Sequence, residues 1–265
     1  QTSSGGCNIP RRQIHTTPLA TPISSMLAIA LPAVLLAALP DDELKRRIAQ
    51  VLAQSQGGGM LPGQYAEFYR RVQERAPSRL LVWGLGHDST LTAELNAGGE
   101  TLFVESSSVW ARIIGTTHPH LNYATYEQDE LGTSVATWSS FLEQPHGLEV
   151  VSPSLRNAVE GGGRCWDTIL VDAPDGSSGR PSATKGAPGR AVPIYAASLH
   201  RKRCNATVFV HDCARTVERE VSRRFLGSPS NVLPASLRKE LLSGAKRAQT
   251  ARGHNSIPKG LCRYG

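Results

Sequence analysis

The sequence predicts an α/β fold in which a mainly parallel sheet carries helices on both faces, with a helical extension ahead of it. Three observations predict this. Short apolar or β-branched runs recur at residues 80–83, 101–104, 121–126, 168–171 and 207–210. Helical stretches lie between most of them, the pattern of βαβ connections and of a sheet whose two faces are both covered. Ahead of residue 78 the apolar spacing is helical throughout most of its length. At 265 residues, 40% apolar and 19% charged, the chain has ordinary globular composition and is long enough to bury one sizeable core.

Taken in order, residues 1–22 are rich in Ser, Thr, Gly and Pro without an apolar period and read as an extended arm. Residues 23–77 form the helical extension, packed on the core. Ser24 or Ser25 caps a first helix ending near Leu39, and Pro40-Asp41-Asp42-Glu43 opens a second, where acidic side chains suit the positive end of the helix dipole. Glycines at 57–59 break the pattern, and GQYAEFYRRVQERAP forms one more helix, stopped by Pro77. Residues 78–265 carry the sheet. Within them, residues 127–163 parse as a helix around 135–142 and a short strand near 148–151. The loop at 173–189 has no apolar anchors, which is unusual inside a domain and fits a lid or binding loop at the carboxyl edge of the sheet.

A formal charge of +7 and a pI near 9.4 favour an acidic partner. There is no zinc-finger spacing, aromatic-rich RNA motif or long basic helix, which counts against nucleic acid. The apolar run at 19–39 is interrupted by Pro22, Ser24, Ser25 and Pro32, so a buried or amphipathic helix is expected there rather than a membrane span. The chain opens on Gln1 rather than Met, and the expectation is a processed or truncated product whose anchor, if it has one, lies upstream. The five cysteines form no C-x-x-C pair, against a structural zinc site. Asn205-Ala206-Thr207 is a glycan sequon beside an expected strand.

Two constellations carry chemistry. The first is LLVWGLGHDST, where a strand ends in Gly84-x-Gly86 and leads into a helix, so that the backbone can approach a ligand closely. Glu105 ends the next strand, 19 residues after Gly86, where a carboxylate can accept both ribose hydroxyls of an adenosine. The third glycine of a dinucleotide fingerprint is replaced by Ser89, and Asp88 would repel a diphosphate but tolerate a sulfonium, so S-adenosylmethionine fits better than NAD. The alternative is a tight turn beside a solvated strand end. The second constellation is ILVDAPDG with VFVHDC. If these two strands are neighbours, Asp172, His211 and Asp212 converge at the carboxyl edge, as a general base or as ligands of a divalent cation. They can equally be loop caps and a packed histidine. The same adjacency brings Cys165 and Cys204 together at the amino edge, as a disulfide in an oxidising lumen or as two buried thiols.

LLVWGLGHDS, LNAGGETLFVE, WDTILVDAP, APGR, IYAAS and VFVHD stand in an order and at spacings that resemble the plant glucuronoxylan 4-O-methyltransferase family, from about Pro18 to Gly227, with a fainter echo in GHNSIP. The resemblance implies a Rossmann-like class I methyltransferase sheet and S-adenosylmethionine as methyl donor. It further implies methylation of O-4 of glucuronic acid on xylan or arabinogalactan, and a divalent metal in some members. A catalytic part in the Golgi lumen, anchored as a type II membrane protein, goes with it. Carried across, Gly84, Gly86, His87, Asp88 and Ser89 would line the methionine end of the cofactor and Glu105 would hold its ribose. Asp172, His211 and Asp212 would stand at the reaction centre. Arg190 of APGR would fork the substrate carboxylate, and Tyr195 would contact substrate or belong to a helix core. The positive charge suits an acidic polysaccharide. A binding or assembly protein without turnover, and a metal-dependent small-molecule O-methyltransferase, are the competing expectations. The 173–189 loop and the tail beyond Gly227 depart from the family pattern.

Overall fold

Strand β1 (Arg79–Trp83) lies at the centre of a seven-stranded sheet, in parallel register with β2 (Glu100–Glu105) on one side and β4 (Thr168–Val171) on the other. Beyond β2 comes β3 (Tyr123–Thr125), and beyond β4 comes β5 (Thr207–His211), both parallel to their neighbours. An antiparallel pair, β7 (Leu261–Tyr264) and β6 (Asn231–Leu233), extends the sheet past β5, giving the order 3-2-1-4-5-7-6. The computed structural model describes residues 38–55, 59–126, 138–145, 147–148, 153–174, 189–233 and 260–265. The arm at 1–22, the first expected helix up to residue 37, GHNSIP and the body of the 173–189 loop lie outside them, as does the 148–151 strand apart from Leu148.

Side chains alternate along each strand, so one sheet makes two cores. Leu80, Val82, Phe103, Leu170 and Phe209 face one side. Against them pack α1 (Asp41–Gln54), α2 (Pro62–Arg75), α3 (Ser89–Leu95) and α4 (Ser108–Thr117). Leu81, Trp83, Val104, Ile169, Val171, Val208 and Val210 face the other, under α5 (Trp138–Glu143), α6 (Pro153–Glu160), α7 (Ala191–Cys204) and α8 (Thr216–Phe225). The expected α/β sheet, mainly parallel with helices on both faces, is the fold observed. Every residue of β4 and β5 is buried, as strands covered on both faces must be.

The two helices before the sheet follow from local chemistry. In α1, Asp41, Asp42 and Glu43 occupy the first turn, and Leu44, Ile48 and Val51 form a stripe at helical spacing. Pro62 opens α2, where Gln64 Oε1 accepts the Leu61 amide at 2.8 Å, and Pro77 follows two residues beyond Arg75. Its buried stripe is Tyr65, Phe68, Tyr69 and Val72. Both helices belong to the compact unit Ala37–Gly265.

Strands β6 and β7 carry no run that would mark them in the sequence; β7 exists because β5 offers it an edge. Adjacency of β4 and β5 joins Cys165 to Cys204 with Cα atoms 5.5 Å apart. A second disulfide, Cys213–Cys262, ties the turn after β5 to β7 and was not expected from spacing. Asn205 is exposed at the carboxyl end of α7 in the left-handed region (φ 56°).

Candidate active site

Strand order reverses between β1 and β4, and such a switch point leaves a crevice at the carboxyl ends of the strands. Here it opens into a cavity of ≈ 840 Å³. Its floor is the turn after β1. Gly84 sits at φ +123°, a conformation that favours glycine, and its amide donates to Val104 O at 2.8 Å. A Cβ on Gly86 would stand 2.7 Å from Asp88 Oδ1, so the missing side chain leaves room for that carboxylate. Gly84, Gly86, His87, Asp88, Glu105 and Asp172 all line the cavity. Ser89 does not. It is buried, and its hydroxyl accepts the Gly86 amide at 2.9 Å, which makes it a staple of the turn rather than a wall of the pocket.

Glu105 is held by the backbone around it. Oε2 accepts the Leu85 amide at 2.9 Å and Oε1 the Ser107 amide at 2.7 Å, so the carboxylate is fixed at the cavity wall. Sequence reasoning missed several lining residues, because their helical spacing says only that they are apolar or amphipathic. Val51, Gln54 and Ser55 at the end of α1, Tyr65 of α2 and Trp110 of α4 all reach the cavity. The Trp110 indole donates to Leu85 O, and the His87 ring meets it edge-on at 5.2 Å between centroids.

Asp88 is half-buried at the start of α3. Burial first, and the nearby Asp172 charge second, push its carboxyl up to about 6, while a hydrogen bond from the Tyr65 hydroxyl works the other way. Burial also drives the Tyr65 phenol well above its ordinary value. Two carboxylates and a phenol thus meet in a cavity that has no lysine or arginine among its described lining residues.

The second cluster forms as β4 and β5 end side by side. His211 Nδ1 lies 2.6 Å from Asp172 Oδ1, and Arg190 Nη2 lies 3.3 Å from the same oxygen. Burial would raise the Asp172 carboxyl, but His211, then Arg190 and Arg215, outweigh it and hold it below the usual carboxylate range. Asp212 sits in the left-handed region at φ 57°. Its Oδ2 meets Arg215 Nη2 at 2.7 Å and Arg190 Nη1 at 3.4 Å, while Oδ1 faces His211 Nε2 at 3.6 Å.

The structure bears on three expectations here. Arg190 is 3% exposed, and Nε donates to Pro174 O at 3.0 Å and Nη1 to His211 O at 2.8 Å. With Asp172 and Asp212 on its remaining reach, this guanidinium is an internal strut and has no free fork for a substrate carboxylate. Tyr195 packs at 4.8 Å from Phe225 and 5.9 Å from Phe141, in the helix core rather than against a ligand. The divalent-cation reading of Asp172, His211 and Asp212 is not shown. One oxygen of each aspartate, Asp172 Oδ1 and Asp212 Oδ2, is paired with Arg190 or Arg215, while Asp212 Oδ1 and His211 Nε2 are buried without a hydrogen-bond partner. Among the described residues no three His, Cys, Asp or Glu side chains converge as a ligand set. The positive charge these carboxylates hold is Arg190 and Arg215.

Comparison with known proteins bears on what such a site is for. The family model described as IRX15/IRX15L/GXM matches residues 65–236. The chain is similar to glucuronoxylan 4-O-methyltransferase 3 of Arabidopsis thaliana, 36% identical over 59% of this chain and 54% of the relative. It is similar also to glucuronoxylan 4-O-methyltransferase 1 of the same plant, at 32% over 70% of this chain and 69% of the relative. Arabinogalactan O-methyltransferase 1, again from Arabidopsis thaliana, is 29% identical over 58% of this chain and 57% of the relative. The chain therefore spans about half the length of the first of these relatives.

Proposed function

The chain belongs to the IRX15/IRX15L/GXM family, and from that premise we propose that it is an S-adenosylmethionine-dependent O-methyltransferase. The acceptor is a sugar hydroxyl, O-4 of glucuronic acid side chains on a polysaccharide of glucuronoxylan or arabinogalactan type. One observation carries the reading. A single cavity presents a glycine turn, a backbone-fixed Glu105 at one wall, and the facing carboxylates Asp88 and Asp172. That arrangement suits a nucleoside whose other end is cationic, and it repels a diphosphate.

S-adenosylmethionine, when bound, supplies an electrophilic methyl group and leaves as a neutral thioether. In this reading Glu105 would accept the ribose hydroxyls and Asp88 would meet the sulfonium end. An alcohol is a weak nucleophile until its proton departs, and Asp172 is the group of the second cluster that both lines the cavity and is partly open, at 26%. His211 and Arg190 keep it ionised, so Asp172 takes the proton from the acceptor hydroxyl as the oxygen bonds to the methyl carbon. His211, at 3% exposure, acts through Asp172 rather than on the sugar.

Two disulfides in the described residues support an oxidising compartment, and the Golgi lumen is the proposed location. Calorimetry with S-adenosylmethionine is the first test, since folded protein that fails to bind it would sink the reading. Labelled cofactor with a panel of glucuronosylated oligosaccharides then identifies the acceptor. Asp172→Asn is expected to lower kcat by about a hundredfold or more; full activity would move the reaction centre elsewhere.

A further inference from the structure

We propose that the indole of Trp110, in the first turn of α4, is the surface on which the adenine ring of the cofactor packs. The inference rests on the reading above that the cavity takes S-adenosylmethionine, and it extends that reading to the base. It starts from the topology. Strand β1 stands between β2 and β4, so Glu105 and α4 lie to one side of the glycine turn and Asp172 to the other. In an adenosyl group the base is borne on C1′, next to the 2′-hydroxyl, and the sulfonium on C5′, beyond the 3′-hydroxyl. A carboxylate that holds both hydroxyls therefore sends the two ends apart. With the sulfonium toward Asp88 and Asp172, the base falls on the α4 side.

The turn itself has little to give the nucleoside. The amide of Gly84 goes to Val104 O, that of Leu85 to Glu105 Oε2 and that of Gly86 to the Ser89 hydroxyl. With those three donors used inside the protein, the nucleoside is held by Glu105 and by contact with ring or apolar surface. Tyr65, His87 and Trp110 are the rings among the described lining residues. Tyr65 is 3% exposed and stacks on Tyr69 in the helix core, which leaves His87 and Trp110 as the partly exposed ones.

Trp110 is fixed without any ligand. Its indole N–H donates to Leu85 O, while the Leu85 amide donates to Glu105 Oε2 at 2.9 Å, so the ring and the ribose-side carboxylate are tied to the two polar groups of one residue. The Trp110 amide donates to Ser107 Oγ at 3.2 Å, and the Ser107 amide to Glu105 Oε1 at 2.7 Å. His87 meets the indole at 86°, with centroids 5.2 Å apart. Because the indole N–H is occupied, what Trp110 offers a ligand is its π surface, and a nucleobase stacks on such a surface without needing a hydrogen bond to it.

The test measures S-adenosylhomocysteine binding to the full chain by calorimetry in two variants. Trp110→Phe keeps an aromatic face and loses the N–H bonded to Leu85 O; Trp110→Leu loses both. Packing of the base predicts an affinity within about threefold of wild type for the Phe variant and roughly tenfold to a hundredfold lower for the Leu variant. A ring that only held the turn through Leu85 would give equal losses in the two; that result, or an unchanged affinity in the Leu variant, overturns the assignment and leaves the methyltransferase reading standing. Should Trp110→Leu not fold, intrinsic fluorescence decides, since Trp83 and Trp166 are fully buried in the core. Saturating S-adenosylhomocysteine should quench wild type, and the Phe variant should bind the ligand without that quench. A wild type that binds without quenching, or a Phe variant that keeps the quench in full, overturns the assignment. Folded wild type that does not bind S-adenosylhomocysteine overturns both the assignment and the reading beneath it.

Discussion

Asp88 and Asp172 line one cavity, and their carboxyls are shifted in opposite directions, which makes Asp88 the most readily tested side chain of the site. Burial and the charge of Asp172 push Asp88 up to about 6 from 3.8. A cation beside it favours the ionised form, so cofactor affinity should weaken as pH falls through about 6, by up to about tenfold per unit. Calorimetry from pH 5 to 8 measures this, and Asp88→Asn should bind more weakly with a flat profile. Stability has the opposite sign. A folded-state pKa above the unfolded one contributes stability below about 4 that is lost as pH rises through about 6. The cofactor-free Asp88→Asn protein should therefore be the more stable at pH 7, by on the order of 2 kcal/mol in urea melts. Arg190 is the opposite case, a buried cation holding two carboxylates and two carbonyls. Arg190→Ala should cost about 3–5 kcal/mol in the same melts, because it leaves Asp172 and Asp212 facing each other without their shared cation. A loss below 1 kcal/mol would contradict the strut.

Helices α1 and α2 were legible from period and punctuation, but nothing in a 3.6-residue stripe says that Gln54 and Tyr65 will wall a cavity. That role follows from which sheet face the helices cover. Tyr65→Phe keeps the ring packed at 5.5 Å on Tyr69 and removes only the hydroxyl beside Asp88. Cofactor affinity is expected to drop a few-fold, the effect of one charge-assisted hydrogen bond, with the thermal midpoint little changed. Strand β7 was not legible at all. Its four residues gain their meaning from β5, against which they pair antiparallel, and from Cys213–Cys262 beside Asp212. The pair Cys213→Ser with Cys262→Ser should lose about 2–4 kcal/mol, close to the effect of reductant on wild type once Cys165–Cys204 is allowed for. An unchanged denaturation midpoint would show that β7 holds without its crosslink.

Across the unit Ala37–Gly265 the parallel order 3-2-1-4-5 brings the ends of β1, β2, β4 and β5 to one edge, and the proposed chemistry depends on that convergence. A net charge of +7 adds a general attraction for a polyuronate. KM for a glucuronosylated polymer should rise with salt between 50 and 300 mM, roughly several-fold, while KM for a neutral acceptor stays flat. The apolar runs at β1, β2, β4 and β5, the GLGHDS turn and the aspartates after β4 and β5 were all readable from residue order, because each is a local pattern: a buried strand, a turn that needs glycine, a polar group where a strand stops. The partners of those groups were not. Arg190 looked free because its sequence neighbours are a loop, yet folding returns it beneath Pro174, between Asp172 and Asp212. Periodicity and turn chemistry act over a few residues and so are written in the chain; which charge neutralises which is decided by contacts between residues far apart in it, and those exist only after the strands have taken their order.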